Sequence, residues 1–288
     1  MPPLGEDAIH LVNDIVRAGG TGDARDVDAV RGEARRMPLG LLSFFRAHGV
    51  HIVACRKSVT DVEISLRGKT PRGWEGTGRT WDSVPGTFLS NPGRVVIATV
   101  AAAGGRQVTP RGPNTHGAFS LTIHESMHGF DYSTGHASLA DPRFTAARAA
   151  DWASLGAYER QPQQAGLEET FAESAARHYG GDGTFAGDWT HLARFWGANP
   201  LHWSEAPLLE APEAAPDPSA PIGEARVLDD RSLVLDLRAE GPGGAIGHAA
   251  LQFHKDDAVY GDIYRHVFGM SPDAEAVAPR SGLFRPMR

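Results

Sequence analysis

The sequence predicts an α+β fold, with helices gathered round a small sheet and then a short antiparallel meander carrying one helix. Three observations predict it. The β-branched runs in the first two-thirds are short and few, the best being "VHIVAC" at 50–55 and "RVVIATVAA" at 94–102. The stretches between and after them carry helical spacing. Beyond residue 223 the pattern changes to alternation, with apolar residues recurring at every second position. With 41% hydrophobic residues in a chain of 288, there is enough apolar material for a sizeable core.

Taken in order, residues 5–18 suit a short helix that "GGTGD" at 19–23 breaks. Residues 24–48 read as helix interrupted before Pro38, with Leu41, Leu42, Phe44 and Phe45 making its second half apolar. The run at 50–55 is a buried strand, and "EISLRG" at 63–68 is a weaker one. Gly-, Thr- and Trp-rich residues 68–88 read as loop, with Trp74 and Trp81 either walling a cleft or pinning the loop to the body. The strand at 94–102 is bounded by turn residues, and 104–117 is again loop. A helix over "LTIHESMHGFDY" (121–132) stops near Gly135, and further helices fit 141–158, 167–179 and 186–196. Five prolines among alanines and acids at 205–224 read as a stiff linker. This divides the chain into 1–204, a linker at 205–222 and a small α+β accessory module at 223–288. In the module, Leu233, Leu235 and Leu237 share one strand face, as do Ala249, Leu251 and Phe253, and a helix follows near 258–268.

A formal charge of −7 gives no basic excess to pair with phosphates, so a general nucleic-acid binder is not expected. The one cysteine, Cys55, can form no disulfide within the chain and reads as a buried strand residue. The N-terminus lacks the charged and apolar regions of a signal peptide. No run approaches the roughly 18 apolar residues of a membrane span. The expectation is a cytoplasmic protein, or one exported by a route that reads no cleavable signal.

The segment His124-Glu125-Ser126-Met127-His128 has HExxH spacing. Four residues of α-helix turn through about 400°, so both histidines rise one turn apart on the same face. Glu125 lies about 100° further round, better placed to hold a water than to ligate. The spacing therefore makes the histidines ligands of Zn2+ and Glu125 the general base. A catalytic zinc takes a third protein ligand. "LEETFAESAARHY" at 167–179 offers Glu169 and Glu173, four apart on one helix face. One would ligate and the other accept the free N–H of a ligating histidine. The reading assigns Glu169 to the metal and Glu173 to the histidine, with the reverse as the alternative. Glu168 reads as a solvated acid near the helix start. His116 reads as an exposed loop residue, with a place lining the cleft as the alternative, and His178 and His191 read as surface helix positions.

"HESMHGFDY" followed by "EETFAES" resembles the metalloprotease domain of anthrax lethal factor and its relatives, which include bacterial Pro-Pro endopeptidases. The resemblance covers roughly residues 40–200, including the loop "GWEGTGRTWDSVPGTF" and the strand after it. It implies a zincin-like fold, and it makes the first glutamate of the second motif the third zinc ligand, in agreement with Glu169. It brings Asp131 into the pattern with an orienting or capping role. The family also places a tyrosine seven residues before the third ligand, to assist the tetrahedral intermediate. Pro162 stands there in this chain. Tyr158, eleven before Glu169, takes that role if the loop is longer by four residues; otherwise the role is lost or filled elsewhere.

These residues imply a zinc metalloendopeptidase acting on a peptide or protein substrate that pairs with the edge of the sheet. The relatives extend this to a toxin or effector protease. Two alternatives stay open: a zinc hydrolase acting on a non-peptide amide, and an inactive zincin-like domain that binds a partner.

Overall fold

A computed structural model describes residues 6–91, 93–201, 219–273 and 281–287. Residues 205–218 of the expected linker lie outside the described residues.

The N-terminal helix α1 (Glu6–Ile15) runs into a three-residue strand, β1 (Val16–Ala18). The helical stretch at 24–48 is two helices, α2 (Ala24–Ala34) and α3 (Leu39–Ala47). Asp23 and Asp26 form a reciprocal capping box at the start of α2, and extended Pro38 precedes α3. The strands β2 (His51–Arg56) and β4 (Gly93–Ala102) form as expected. Between them lies β3 (Gly86–Ser90), and after them β5 (Gly105–Val108). Both fall where the sequence reads as loop.

Residues 63–68 are not a strand. Ile64–Leu66 is a single 3-10 turn. Gly68 follows at a φ of +70°, with its N–H donated to Asp82 Oδ2 at 2.8 Å. That positive φ and side-chain acceptor favour turning back over extension.

The central helix α4 (Leu121–Ser133) is followed by α5 (Ala137–Ala140), α6 (Pro142–Ala150) and α7 (Gln163–Gly180). Two short helices, α8 (Phe185–Asp188) and α9 (Thr190–Gly197), close this part. The C-terminal segment contributes β6 (Gly223–Val227), β7 (Leu233–Gly241), β8 (Ala245–Phe253), α10 (Tyr260–Phe268) and β9 (Ser281–Phe284).

All nine described strands belong to one sheet, in the order β1-β2-β4-β3-β8-β7-β6-β9, with β5 beside the far end of β4. The first three run parallel and the rest pair antiparallel. The join is β3–β8, where Gly86, Thr87 and Phe88 oppose His248, Gly247 and Ile246. The strands beyond the composition break therefore continue the sheet of the helical part.

Alternation along the strands divides the interior. Ile52, Ala54, Val95 and Ile97 pack with Leu121, Met127 and Phe171 on the helical face. Val53, Cys55, Val96 and Ala98 face the other way, into a core with the three β7 leucines, Phe253 and Tyr264. Trp74 and Trp81 are fully buried in that second core. Trp74 Nε1 also donates to the Arg238 carbonyl at 3.0 Å. These tryptophans pin the 68–88 loop; they do not wall a cleft. Among the described residues, no helix is long and apolar enough to cross a membrane.

Candidate active site

The helix α4 is buried continuously from Leu121 to Asp131. It reaches the sheet through Gly86 of β3. A Cβ there would lie 2.7 Å from Leu121 Cδ1 and 2.8 Å from Glu125 Cγ, so no larger residue fits without movement. Glu33 of α2 holds the helix start, accepting from Ser120 Oγ at 2.8 Å and from the Thr122 N–H at 3.2 Å. A carboxylate there satisfies an orphan donor and complements the helix dipole. The second helix, α7, begins after extended Pro162 and ends at Gly181, whose φ of +83° provides the left-handed C-terminal cap.

The two helices bring three donor atoms together. His124 Nε2 and His128 Nε2 are 3.2 Å apart, and each is 3.4 Å from Glu169 Oε2. All three residues are buried, and their donor geometry is compatible with a metal ion. Glu169 Oε2 has no hydrogen-bond partner among the described residues, and neither carboxylate oxygen of Glu125 has one. Buried polar atoms without partners are costly, and a cation with its water is the kind of group that meets them.

Glu173 Oε2 lies 3.3 Å from His124 Nδ1, and the carboxylate also accepts the Phe119 N–H at 3.1 and 3.2 Å. Asp131 does something else. It accepts from Ser138 N–H at 2.7 Å and Ser138 Oγ at 2.8 Å, capping α5 one turn beyond the histidines. Tyr158 is buried beside the cleft, and its hydroxyl has no hydrogen-bond partner among the described residues.

Two residues from the C-terminal strands join this site, and sequence reasoning missed both. Arg238 of β7 donates to Glu169 Oε1 at 2.8 Å, to Glu168 Oε2 at 2.6 Å and to Glu240 Oε1 at 2.9 Å. Its Nη2 also donates to the Tyr132 hydroxyl at 2.7 Å. Glu169 thus offers one oxygen to the histidines and one to Arg238. Glu168 is not the solvated acid the sequence suggests. It is buried, and it accepts from Tyr132 at 3.0 Å and Gln164 at 2.6 Å and meets His136 Nδ1 at 2.9 Å. Asp131, His136 and Glu168 form another close cluster, but Ser138, Arg238, Tyr132 and Gln164 already occupy its carboxylates.

The second residue, His248 of β8, is buried with its ring stacked on Tyr158. The signal for both lay in the alternation. Asp236, Arg238 and His248 occupy the strand faces opposite the leucines, which read as solvent-facing unless helices cover them. His116 also departs from expectation: it is buried, with Nε2 2.7 Å from the Thr109 carbonyl.

The electrostatics follow from burial and charge. Burial opposes a charge on His124, but Glu169 and Glu173 beside it pull its pKa up to about 10. Glu125 is pushed up to about 8 by burial, with His124 pulling the other way. Burial would raise Glu169 too, yet His128, His124 and Arg238 hold it well below the usual carboxylate range. Burial takes His248 down to about 3, assisted by His124. The carboxylates thus create a demand for positive charge at His124.

A cleft of about 600 Å³ leads to His124, lined among others by Arg111, Gly117, Tyr158, Glu173, Asp236 and His248. The strand against α4, β3, is paired on both sides, by β4 and by β8. It offers no free edge along Gly86–Phe88, so the expected edge pairing of a substrate does not hold at this strand.

A mixed sheet with a histidine-bearing helix laid across it defines a zincin-like fold. The structure of a Pro-Pro endopeptidase from Paenibacillus alvei is similar, with a TM-score of 0.51 over 66% of this chain and 99% of that one, at 23% identity. In sequence, residues 9–184 match the family described as anthrax toxin lethal factor, N- and C-terminal domain, and the chain belongs to that family. A Pro-Pro endopeptidase of Paenibacillus alvei is 32% identical over 119 residues, 41% of this chain and 50% of the relative. Another, from Clostridioides difficile (strain 630), is 36% identical over 116 residues, 40% of this chain and 46% of the relative. The chain spans about half the length of the curated relatives it matches.

Proposed function

We propose that this chain is a zinc-dependent endopeptidase, with zinc held by His124, His128 and Glu169. The observation that carries the reading is the triangle of donor atoms, with edges of 3.2, 3.4 and 3.4 Å. Tetrahedral ligands about 2.0–2.1 Å from zinc stand about 3.3–3.4 Å from one another, so the triangle fits one face of such a site. Zinc there supplies Lewis-acid chemistry, acidifying water and polarising a carbonyl.

The chain's own residues do the rest. Glu125 accepts the proton of the attacking water and passes it to the leaving amine. Glu173 takes the Nδ1–H of His124 and so turns Nε2 towards the triangle. Arg238 steadies Glu169 by binding the oxygen that faces away from the histidines. Tyr158 donates to the carbonyl oxygen as negative charge develops on it. Asp131 anchors the chain leaving α4. The segment 223–288, read as an accessory module, completes the site through Arg238.

The names of the two relatives make peptide bonds between prolines the first substrates to test. Purified protein should carry about one zinc per chain by elemental analysis. Glu125→Gln should keep that zinc and lower cleavage of a diverse peptide library by about 10²–10⁴-fold. A Gln variant that cuts at the parent rate overturns the assignment.

A further inference from the structure

His248 is an unusual core histidine. Both of its ring nitrogens lack a hydrogen-bond partner among the described residues. Asp236 Oδ1 stands 3.9 Å from Nε2, beyond hydrogen-bond reach. His116, buried close by, shows the ordinary solution, with Nε2 2.7 Å from a backbone carbonyl. A buried polar group left without a partner costs about 1–3 kcal/mol, so its retention calls for a reason.

Its position supplies one. The ring stacks on Tyr158, with centroids 4.9 Å apart and planes 17° apart, and Tyr158 carries the other orphaned donor of the cleft. The His124 ring lies 5.5 Å away, centroid to centroid. Strand register sets His248 opposite Gly86, the residue whose Cβ would touch Glu125. Tyr158 and His248 therefore line the same cleft as His124, close to the proposed general base.

We infer that His248, delivered by β8, is a second catalytic hydrogen-bond donor to the scissile carbonyl oxygen, acting beside Tyr158. This rests on the peptidase reading. The imidazole donates a hydrogen bond as the carbonyl becomes tetrahedral and keeps its proton throughout. Two donors aimed at one developing oxyanion are the usual arrangement for acyl transfer. His248 lies beyond the family's matched region, 9–184.

The test uses the full zinc-loaded chain and one peptide chosen from those the parent protein cuts in a diverse library. His248→Phe keeps an aromatic ring against Tyr158 but removes the donor, and His248→Gln restores an N–H. The expected result for Phe is a fall in kcat of about 10²–10³-fold, with KM within about threefold and zinc content unchanged. Its midpoint in urea should stay level or rise, because an orphaned polar group has gone. Gln should recover part of kcat. A packing role predicts the opposite, a lower urea midpoint with kcat intact. A Phe variant that cuts at the parent rate, or faster because β8 obstructs the cleft, overturns the inference and leaves the peptidase reading standing. A parent protein that holds zinc yet cuts nothing in the library overturns both.

Discussion

Asp26 and Arg238 are both fully buried charges, and they tie different parts of the sheet together. Asp26 lies in the N-terminal part. It accepts from Thr99 Oγ1 at 2.5 Å and Arg106 Nε at 2.6 Å, and from Arg56 Nε at 3.1 Å. It joins α2 to β2, β4 and β5. Arg238 is the mirror case, a cation among Glu168, Glu169 and Glu240. It joins β7 to α7, across the composition break at 205–222. Both need partners for the same reason, since a charge out of water is expensive unless it is paired and hydrogen-bonded. They differ in what depends on them. Asp26 fastens a helix to its own neighbours. Arg238 fastens the proposed third metal ligand to a strand from the far end of the chain.

The largest effect should come from Arg238→Met. Removing one partner of a buried pair costs about 3–5 kcal/mol, because the remaining charges are left uncompensated. Here Glu168 and Glu169 are those charges, so urea unfolding should show the loss and zinc content should fall with it. A variant as stable as the parent, with full zinc, would mean that the C-terminal strands are not energetically coupled to the site.

Asp26→Asn should cost less, about 1–3 kcal/mol, because Arg56 and Arg106 keep partial solvent access and the amide keeps an acceptor. Zinc content should not change, and that contrast with Arg238 is the sharper half of the comparison. Asp26 also predicts a pH dependence. Burial would raise its pKa, but bonds from Thr99, the Asp23 backbone and Arg106 hold it well below the ordinary 3.8. A depressed carboxylate adds stability that is fully present above its unfolded value and is lost as pH falls through its folded value. The parent protein should therefore lose stability below about pH 4, and Asp26→Asn should flatten that loss, as read from urea midpoints at pH 5 and pH 3.

The smallest effect belongs to Arg226→Met. Arg226 also bridges a carboxylate of the C-terminal strands, Asp236 at 2.5 Å, but its side chain is 47% exposed. With one partner in water and the other, Asp236, buried, the pair is worth about 1 kcal/mol, so the urea midpoint should move only a little. A loss as large as that of Arg238 would show that burial is not what separates these two arginines.

The same contrast explains what could be read from the sequence. His124, Glu125 and His128 were legible because helical spacing alone puts them on neighbouring faces. Glu169 and Glu173 were legible as an i, i+4 pair, and the structure gives Glu169 to the histidine nitrogens and Glu173 to the Nδ1 of His124. Arg238 and His248 were not legible. Their strands alternate correctly, and local pattern assigns the polar face to solvent. Only the pairing of β3 with β8 turns that face inward, and no local signal announces a pairing between strands so far apart. Strands β3 and β5 escaped for a related reason: they lie in or beside glycine-rich stretches and form because neighbours on both sides or a tight hairpin hold them.

The β3–β8 junction has a consequence for synthesis. Thr87 Oγ1 donates to the Ile246 carbonyl, a contact spanning 159 residues. Translation delivers chains from the N-terminus, and contacts between distant segments form late. A nascent chain that has emerged as far as α7 holds both histidines and Glu169, but neither Arg238 nor His248 exists yet. Translation then supplies the proposed metal ligands first and the groups from β7 and β8 last, and the ribosome sets the delay between them.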